Sequence, residues 1–214
     1  MQRKRVISFI DGFNLYHAID KLRRPELKWL NLITLSQTFI KPLSEKLVTA
    51  YYFSAYADHM SEPVQKRQKT YVQALALQGI QPILGLFKMK NKKCPECRHR
   101  WIGHEEKETD SNISLFLLDL AYQNAFDRAL IISNDSDLAP AIRMVRSRFP
   151  EKDLTTVAPP HCYHSNELIR ASSSKTKIRI EHLERCLLPA AVTDASRLVS
   201  ISRPKEYTPA VIVH

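Results

Sequence analysis

The chain has 214 residues, 44% of them apolar, which is enough to bury a substantial core and too much for its bulk to be disordered. Its 32 Lys and Arg against 22 Asp and Glu give a net charge of +10, which points to a polyanionic partner such as a phosphate backbone. No stretch approaches the roughly 20 apolar residues of a membrane-spanning helix, and the apolar run Val6 to Ile10 is too short for a signal peptide, so the expected location is the cytoplasm, away from any membrane.

Taken in chain order, Arg5 to Ile10 reads as a strand, and Phe13 to Leu22 and Asn31 to Ile40 as helices. Lys46 to Tyr56, rich in β-branched and aromatic residues, is a second strand. Glu62 to Gln78 is a long helix with Pro63 near its first turn, stopped by Gly79. Gln81 to Phe87 is a third strand. Asp110 to Asn124 carries Ile113, Leu117, Leu120 and Ala121 at helical spacing; Arg128 to Ser133 follows as a strand, Ser136 to Phe149 as a helix and Leu154 to Ala158 as a fifth strand. Strands separated by helix-length segments imply right-handed βαβ crossovers and an α/β fold, a parallel sheet flanked by helices on both faces.

One domain over residues 1–188 accommodates this pattern, with two additions. Residues 88–107 interrupt the alternation with a basic, Cys-x-x-Cys insert that is too long for an ordinary connection. Residues 189–214, with Pro189, Pro204 and Pro209, read as a C-terminal tail that extends or becomes disordered beyond the core.

The chemistry-bearing residues fall where elements meet. Asp11 ends the first strand and Asp135 follows the fourth, so a parallel sheet brings both to the edge beyond its carboxyl ends, where open α/β sheets hold their ligands. Asp110, at a helix start, can project to the same edge. Asp137 stands two residues into the turn after Asp135, and Asn14 one helical turn after Asp11. Each Asp alone is an ordinary helix N-cap, and Ser133 and Ser136 are ordinary caps too. Several carboxylates gathered at one edge of a basic chain instead suit a hard cation facing a polyanion.

Val6-Ile7-Ser8-Phe9-Ile10-Asp11-Gly12-Phe13-Asn14-Leu15, then Glu108-Thr109-Asp110, then Ser133-Asn134-Asp135-Ser136-Asp137-Leu138 resemble, in order, the motifs of the NYN-domain family, the LabA-like branch of PIN-like ribonucleases. The resemblance covers roughly Arg5 to Arg185. It implies a PIN-like fold and a cluster of Asp11, Asp110, Asp135 and Asp137 around Mg²⁺ or Mn²⁺, with Asn14 as polar neighbour. Asn134 stands where the family usually has Gly, and Leu138 where it often has Phe; Asn tolerates left-handed backbone and Leu still fills an apolar slot.

Cys94-Pro95-Glu96-Cys97 has the knuckle spacing zinc favours, with His99 and His104 close behind. A structural Zn²⁺ on Cys94, Cys97, His99 and His104 strains the spacing, since His99 follows Cys97 by two positions. His161, Cys162, His164 or a second subunit of a homo-oligomer could supply a ligand instead, and a dithiol, a disulfide or no special role stay open. Cys162 and Cys186 otherwise read as isolated thiols. Trp101, among Arg98, His99 and Arg100, could stack on an unpaired base or simply plug the insert. Lys88, Lys90, Lys92, Lys93, Arg98 and Arg100 make the insert a basic lip expected to overhang the acids, whereas Glu105-Glu106-Lys107-Glu108 reads as a solvated face.

Two classes of function fit. One is an enzyme, a metal-dependent endoribonuclease in which a metal-activated water hydrolyses the phosphodiester of single-stranded RNA. The other is a non-catalytic RNA-binding or regulatory module of the same fold. A DNA-directed, flap-type nuclease shares the expected site.

Overall fold

A computed structural model describes residues 2–194, 196 and 198–209. Its elements are β1 (Lys4–Asp11), α1 (Gly12–Asp20), α2 (Leu32–Gln37), β2 (Glu45–Ala55), α3 (Glu62–Leu77), β3 (Ile80–Lys93), β4 (Arg100–Lys107), α4 (Thr109–Tyr122), β5 (Arg128–Ile132), α5 (Ala139–Arg148), β6 (Asp153–Ala158), α6 (Asn166–Ala171), β7 (Ser174–Lys177), α7 (Ile180–Arg185), β8 (Ala191–Thr193) and β9 (Ser200–Ser202), of which β4 and everything after β6 have no counterpart in the sequence pattern. The main sheet has seven strands in the order β4-β3-β2-β1-β5-β6-β7. Every neighbouring pair in it is parallel except β3 with β4.

The central strands are buried on both faces, and their side chains divide between two cores by the two-residue period of a strand. Val6, Ile10, Ala50, Tyr52, Leu130 and Ile132 point to one face, where Leu15 and Ile19 of α1, Leu32 and Leu35 of α2, Val72 and Leu75 of α3 and Leu183 of α7 cover them. Ile7, Phe9, Tyr51, Phe53, Ala129 and Ile131 point to the other, under Ile113 and Leu117 of α4, Ala139 and Ile142 of α5 and Leu168 of α6. At the amino-terminal edge of the sheet, Arg128 forms a largely buried ion pair with Glu45 at 2.9 Å and donates to the Phe39 carbonyl oxygen at 3.2 Å. Arg5 holds Asp127 there as well, with Nη2 donating to Oδ1 at 2.7 Å.

Three expectations change. The third strand does not stop at Phe87: β3 runs on to Lys93 and turns back as β4, so residues 88–107 form a β-hairpin paired from Leu86↔Lys107 to Lys93↔Arg100, and the sheet is mixed. Gly85 marks the point where β3 changes partner from β2 to β4. A Cβ there would lie 2.4 Å from the Lys107 carbonyl oxygen, so only glycine lets the returning strand pass this close.

The tail does not leave the core at Pro189. β8 and β9 pair, and Leu188, Val192 and Tyr207 bury themselves with Trp29 and Ala74 in a third apolar cluster. The Trp29 indole donates to the Pro189 carbonyl oxygen at 2.8 Å. Residues 210–214 of that segment lie outside the described ones. The helix expected from Ser136 begins with a 3₁₀ turn over Ser136–Leu138 before α5 proper, because Pro140 is accommodated only in the first turn of an α-helix. Among the described residues no helix is long and apolar enough to cross a membrane.

Candidate active site

The carboxyl ends of β1 and β5 lie side by side, with Ile10 opposite Ile132, so Asp11 and Ser133 leave the sheet together. Asp11 caps α1 by accepting from the Asn14 backbone N–H at 2.9 Å through Oδ1, and accepts from the Ser133 hydroxyl at 2.8 Å through Oδ2. The Ser133 oxygen in turn accepts from the Asp135 backbone N–H at 3.0 Å. Asp135 caps the following 3₁₀ turn, accepting from the Asp137 N–H at 2.9 Å. The two strand ends are thus joined by a short polar chain, and the capping readings of Asp11 and Asp135 hold alongside any other role.

Asn14 completes the junction: its Oδ1 accepts from the Asn134 N–H at 3.0 Å, tying the first turn of α1 to the loop after β5. Asn134 then accepts from the Ser165 N–H at 2.7 Å, which fixes the same loop to the start of α6. An Asn here performs a task a Gly could not, since its side chain bridges two segments.

Asp110 reaches this edge from the far side of the hairpin. Glu108 adopts a left-handed conformation, φ 81°, which turns the chain sharply from β4 into α4. Glu106 supports the turn by accepting from the Thr109 N–H at 3.1 Å and from the Thr109 hydroxyl at 2.5 Å. Asp11, Asn14, Asp110, Asn134 and Asp135 consequently line one cleft of about 370 Å³, with His17, Lys21, Glu106, Thr109 and Cys162. Asp137 is exposed and is not among its lining residues, although its charge is felt by Asp110.

The electrostatics of the cleft are those of acids without enough countercharge. Asp11 is 4% exposed, and burial pushes its carboxyl up to about 7, opposed by the hydrogen bonds from Asn14 and Ser133 and reinforced by the charges of Asp110 and Asp135. Burial also raises Asp110, to about 6, with the charges of Asp135, Glu106 and Asp137 adding to it. Among the described residues, no three His, Cys, Asp or Glu side chains are gathered tightly enough to enclose an ion as they stand. The donor set nonetheless fits a hard divalent cation. It is made of oxygens, each Asp11 oxygen keeps a lone pair beyond its one hydrogen bond, and a cation would relieve the repulsion that raises these acids.

The four residues expected to hold zinc are not all brought together, although the Cys94 and Cys97 thiols lie side by side. Cys94 and Cys97 close the tip of the hairpin, where the Arg98 N–H donates to the Cys94 carbonyl oxygen at 3.1 Å. Backbone N–H groups of Cys97 and Glu96 hold the Cys94 thiol below its usual range. His99 lies beside them but stacks on Trp101, with ring centroids 6.2 Å apart. His104 sits four residues along β4 from Arg100, roughly 13 Å at the usual rise of a strand, and stacks on His59 at 4.1 Å. Backbone pairing orders the hairpin, so a metal staple is not needed to explain it.

Register divides the expected basic lip between the two faces of the hairpin. Side chains directly opposite one another project from the same face, so Phe87, Met89 and Asn91 share a face with Glu106, His104 and Ile102. Since Glu106 lines the cleft, Lys88, Lys90, Lys92 and Lys107, together with Trp101, project from the opposite face, while Lys93 and Arg100, the last pair of the ladder, share the face of Glu106. There Glu105 gathers Lys90, Lys92 and Lys107 at 3.2–3.4 Å, which holds its carboxyl down at about 2.

The cleft residues missed in the sequence are instructive. His17 and Lys21 continue the α1 face begun by Asn14, at spacings of three and four, and were legible as one helical stripe. Glu106 lay hidden in an acidic run, and Cys162 comes from a loop after β6 with no local signal.

A mainly parallel, helix-covered sheet with acids gathered beyond the carboxyl ends of its central strands belongs to the PIN-like, nuclease-type α/β class. Residues 5–179 match the NYN domain family, and the chain is a member of it. It is also 32% identical to 6-hydroxy-3-succinoylpyridine 3-monooxygenase HspA of Pseudomonas putida, over 69% of this chain and 59% of that protein, so it spans well under two thirds of that relative. The crystal structure of VPA0982, a protein of unknown function from Vibrio parahaemolyticus, shares the fold, with a TM-score of 0.56 and 16% identity over 88% of this chain and 100% of that one.

Proposed function

We propose that the protein is a metal-dependent endoribonuclease whose active site is the cleft of Asp11, Asp110 and Asp135. The observation that carries this reading is that three acids from separate segments line one cleft in a chain of net charge +10. In this reading those three carboxylates hold Mg²⁺ or Mn²⁺, which when bound supplies Lewis acidity at the phosphoryl oxygens and for activating a water. Ser133 and the Asn14 backbone orient Asp11, so its carboxylate need not reorganise as charge develops. Asn14 acts as a positioning residue through Asn134, and Asp137 and Glu106 set the field around Asp110 rather than contacting the ion. Lys21, at the cleft wall, is available to a phosphate oxygen.

Attack by water leaves a 5′-phosphate and a 3′-hydroxyl. The test is incubation of purified protein with labelled single-stranded RNA and DNA, with Mn²⁺, Mg²⁺ or chelator. RNA cleavage should need the metal, and Asp11→Asn or Asp135→Asn should lower it at least about a hundredfold while leaving the circular dichroism spectrum unchanged. A 2′,3′-cyclic phosphate end would contradict water attack. RNA binding without cleavage under all conditions would favour a binding module, and preferential DNA cleavage a flap-type nuclease.

A second reading has one observation in its favour: an aromatic-walled cavity adjoins the cleft, and the relative from Pseudomonas putida carries a name that describes oxygenation of a pyridine. Oxygen uptake dependent on 6-hydroxy-3-succinoylpyridine and an electron donor, with RNA left intact, would move the conclusion to that chemistry.

A further inference from the structure

Behind the acidic cleft lies a second cavity, about 290 Å³, bounded by α1, β2, α3 and the root of the β3–β4 hairpin. Phe13 and His17 line both spaces, so the two share a wall. The cavity is an aromatic slot built from Phe13, Tyr16, Tyr52, Tyr71, Phe87 and Tyr207. Its floor is specific: a Cβ on Gly12 would stand 2.6 Å from the Tyr52 ring and 2.7 Å from the Phe53 carbonyl oxygen, so the residue next to Asp11 must be glycine for Tyr52 to lie where it does. Phe13 and Phe87 meet edge to face at 5.5 Å, and His59 packs on Phe87 at 4.6 Å, which frames the mouth.

Several polar groups of the slot are already engaged, and His17 and His59 present their rings to neighbouring aromatic side chains. Gln68 donates to the Ala55 carbonyl oxygen at 2.7 Å and accepts from the Ala57 N–H at 2.9 Å, and the Tyr71 hydroxyl donates to the Leu30 carbonyl oxygen at 3.1 Å. Lys28 and Arg67, the cations of the lining, are paired with Asp20 and Glu206. The cavity therefore offers ring faces and little hydrogen-bonding specificity, the complement of a flat, uncharged heterocycle whose edges go unread. Sharing a wall with a cleft suited to a phosphodiester, it is within reach of a ring tethered to that phosphate.

We infer that this cavity receives one unstacked nucleobase of the RNA strand whose phosphodiester lies in the acidic cleft, holding it by stacking with little regard to its identity. The inference rests on the nuclease reading and adds to it a base subsite that sets where along a strand the cut falls.

An abasic scan tests it without relying on any variant to fold. A short single-stranded RNA is made with one base removed at each position in turn, and binding to the wild-type protein is measured with Ca²⁺ in place of Mg²⁺. One position should lose affinity by about tenfold, the worth of a single stacked base, while its neighbours change little. Exchanging purine for pyrimidine there should matter much less. In Phe13→Ala and in Tyr16→Ala, the latter at a side chain already 41% exposed, the sensitivity of that position should disappear. Tight binding with a flat scan overturns the base subsite and leaves the nuclease reading standing. No binding of intact RNA overturns both.

Discussion

Asp11 carries a carboxyl that folding makes harder to ionise. Its folded value of about 7 lies above the ordinary carboxylate value, so in the absence of metal the folded state holds a proton that the unfolded state has released. The resulting stabilisation is fully present below about pH 4, the unfolded value, and is lost as pH rises through about 7. In chelator, the melting temperature should therefore fall between pH 5 and pH 8, and Asp11→Asn should flatten that fall and melt several degrees higher at pH 8. Equal slopes for the two proteins would remove the uncompensated-acid picture. Added Mg²⁺ or Mn²⁺ should narrow the difference, because metal competes with protons for the same oxygens. The acids on strand ends and at a helix start were legible in the sequence because three separate segments each place an Asp at an element boundary on one sheet edge, although each Asp alone is an ordinary cap. Glu106 was not, since its position in the cleft depends on the left-handed backbone of Glu108, a conformation for which Glu has no preference.

Elements whose two faces are both buried announce themselves, and those with one exposed edge do not. β1 and β5 read as strands from near-continuous apolar runs, Val6 to Ile10 and Ala129 to Ile132. β7 consists of Ser-Lys-Thr-Lys, pairs only with β6, and contains no apolar residue to reveal it. The strands of the basic insert were not foreseen because the outer half of β3 and much of β4 are polar and held by backbone pairing. Gly85 is the hinge of that arrangement, and Gly85→Ala should push Lys107 away and displace the turn that presents Asp110. On the proposed nuclease reading, cleavage should drop by tenfold or more with a smaller loss of stability, about 1–2 kcal/mol. Activity equal to wild type would show that Asp110 tolerates the shift or plays no part.

At the opposite edge, Glu45→Ala leaves the Arg128 guanidinium buried without its carboxylate, at a cost of about 3 kcal/mol. The urea midpoint should fall accordingly at an unchanged slope, and Glu45→Gln, which keeps the shape and an acceptor, should lose less.

For the whole molecule, the layered α/β plan followed from the order of strand and helix signals, whereas the packing of the C-terminal segment did not. Val192 and Tyr207 are single apolar residues in polar surroundings, and nothing periodic marks the gap over Trp29 that they fill. β1, the middle strand of the seven, is paired on one side with β2 and on the other with β5, which follows more than a hundred positions later in the chain. Its amides should consequently exchange with deuterium only on global opening, more slowly than those of β4 or β7. During synthesis the consequence is one of timing. The apolar flank that β1 will offer β5 must wait, without its partner, until the chain has been made through Ile132, and Asp11 cannot meet Asp135 before that. A ribosome stalled earlier would carry an adhesive half-sheet with no working cleft, so any destructive capacity of the site arrives only with the last of the strands that enclose it.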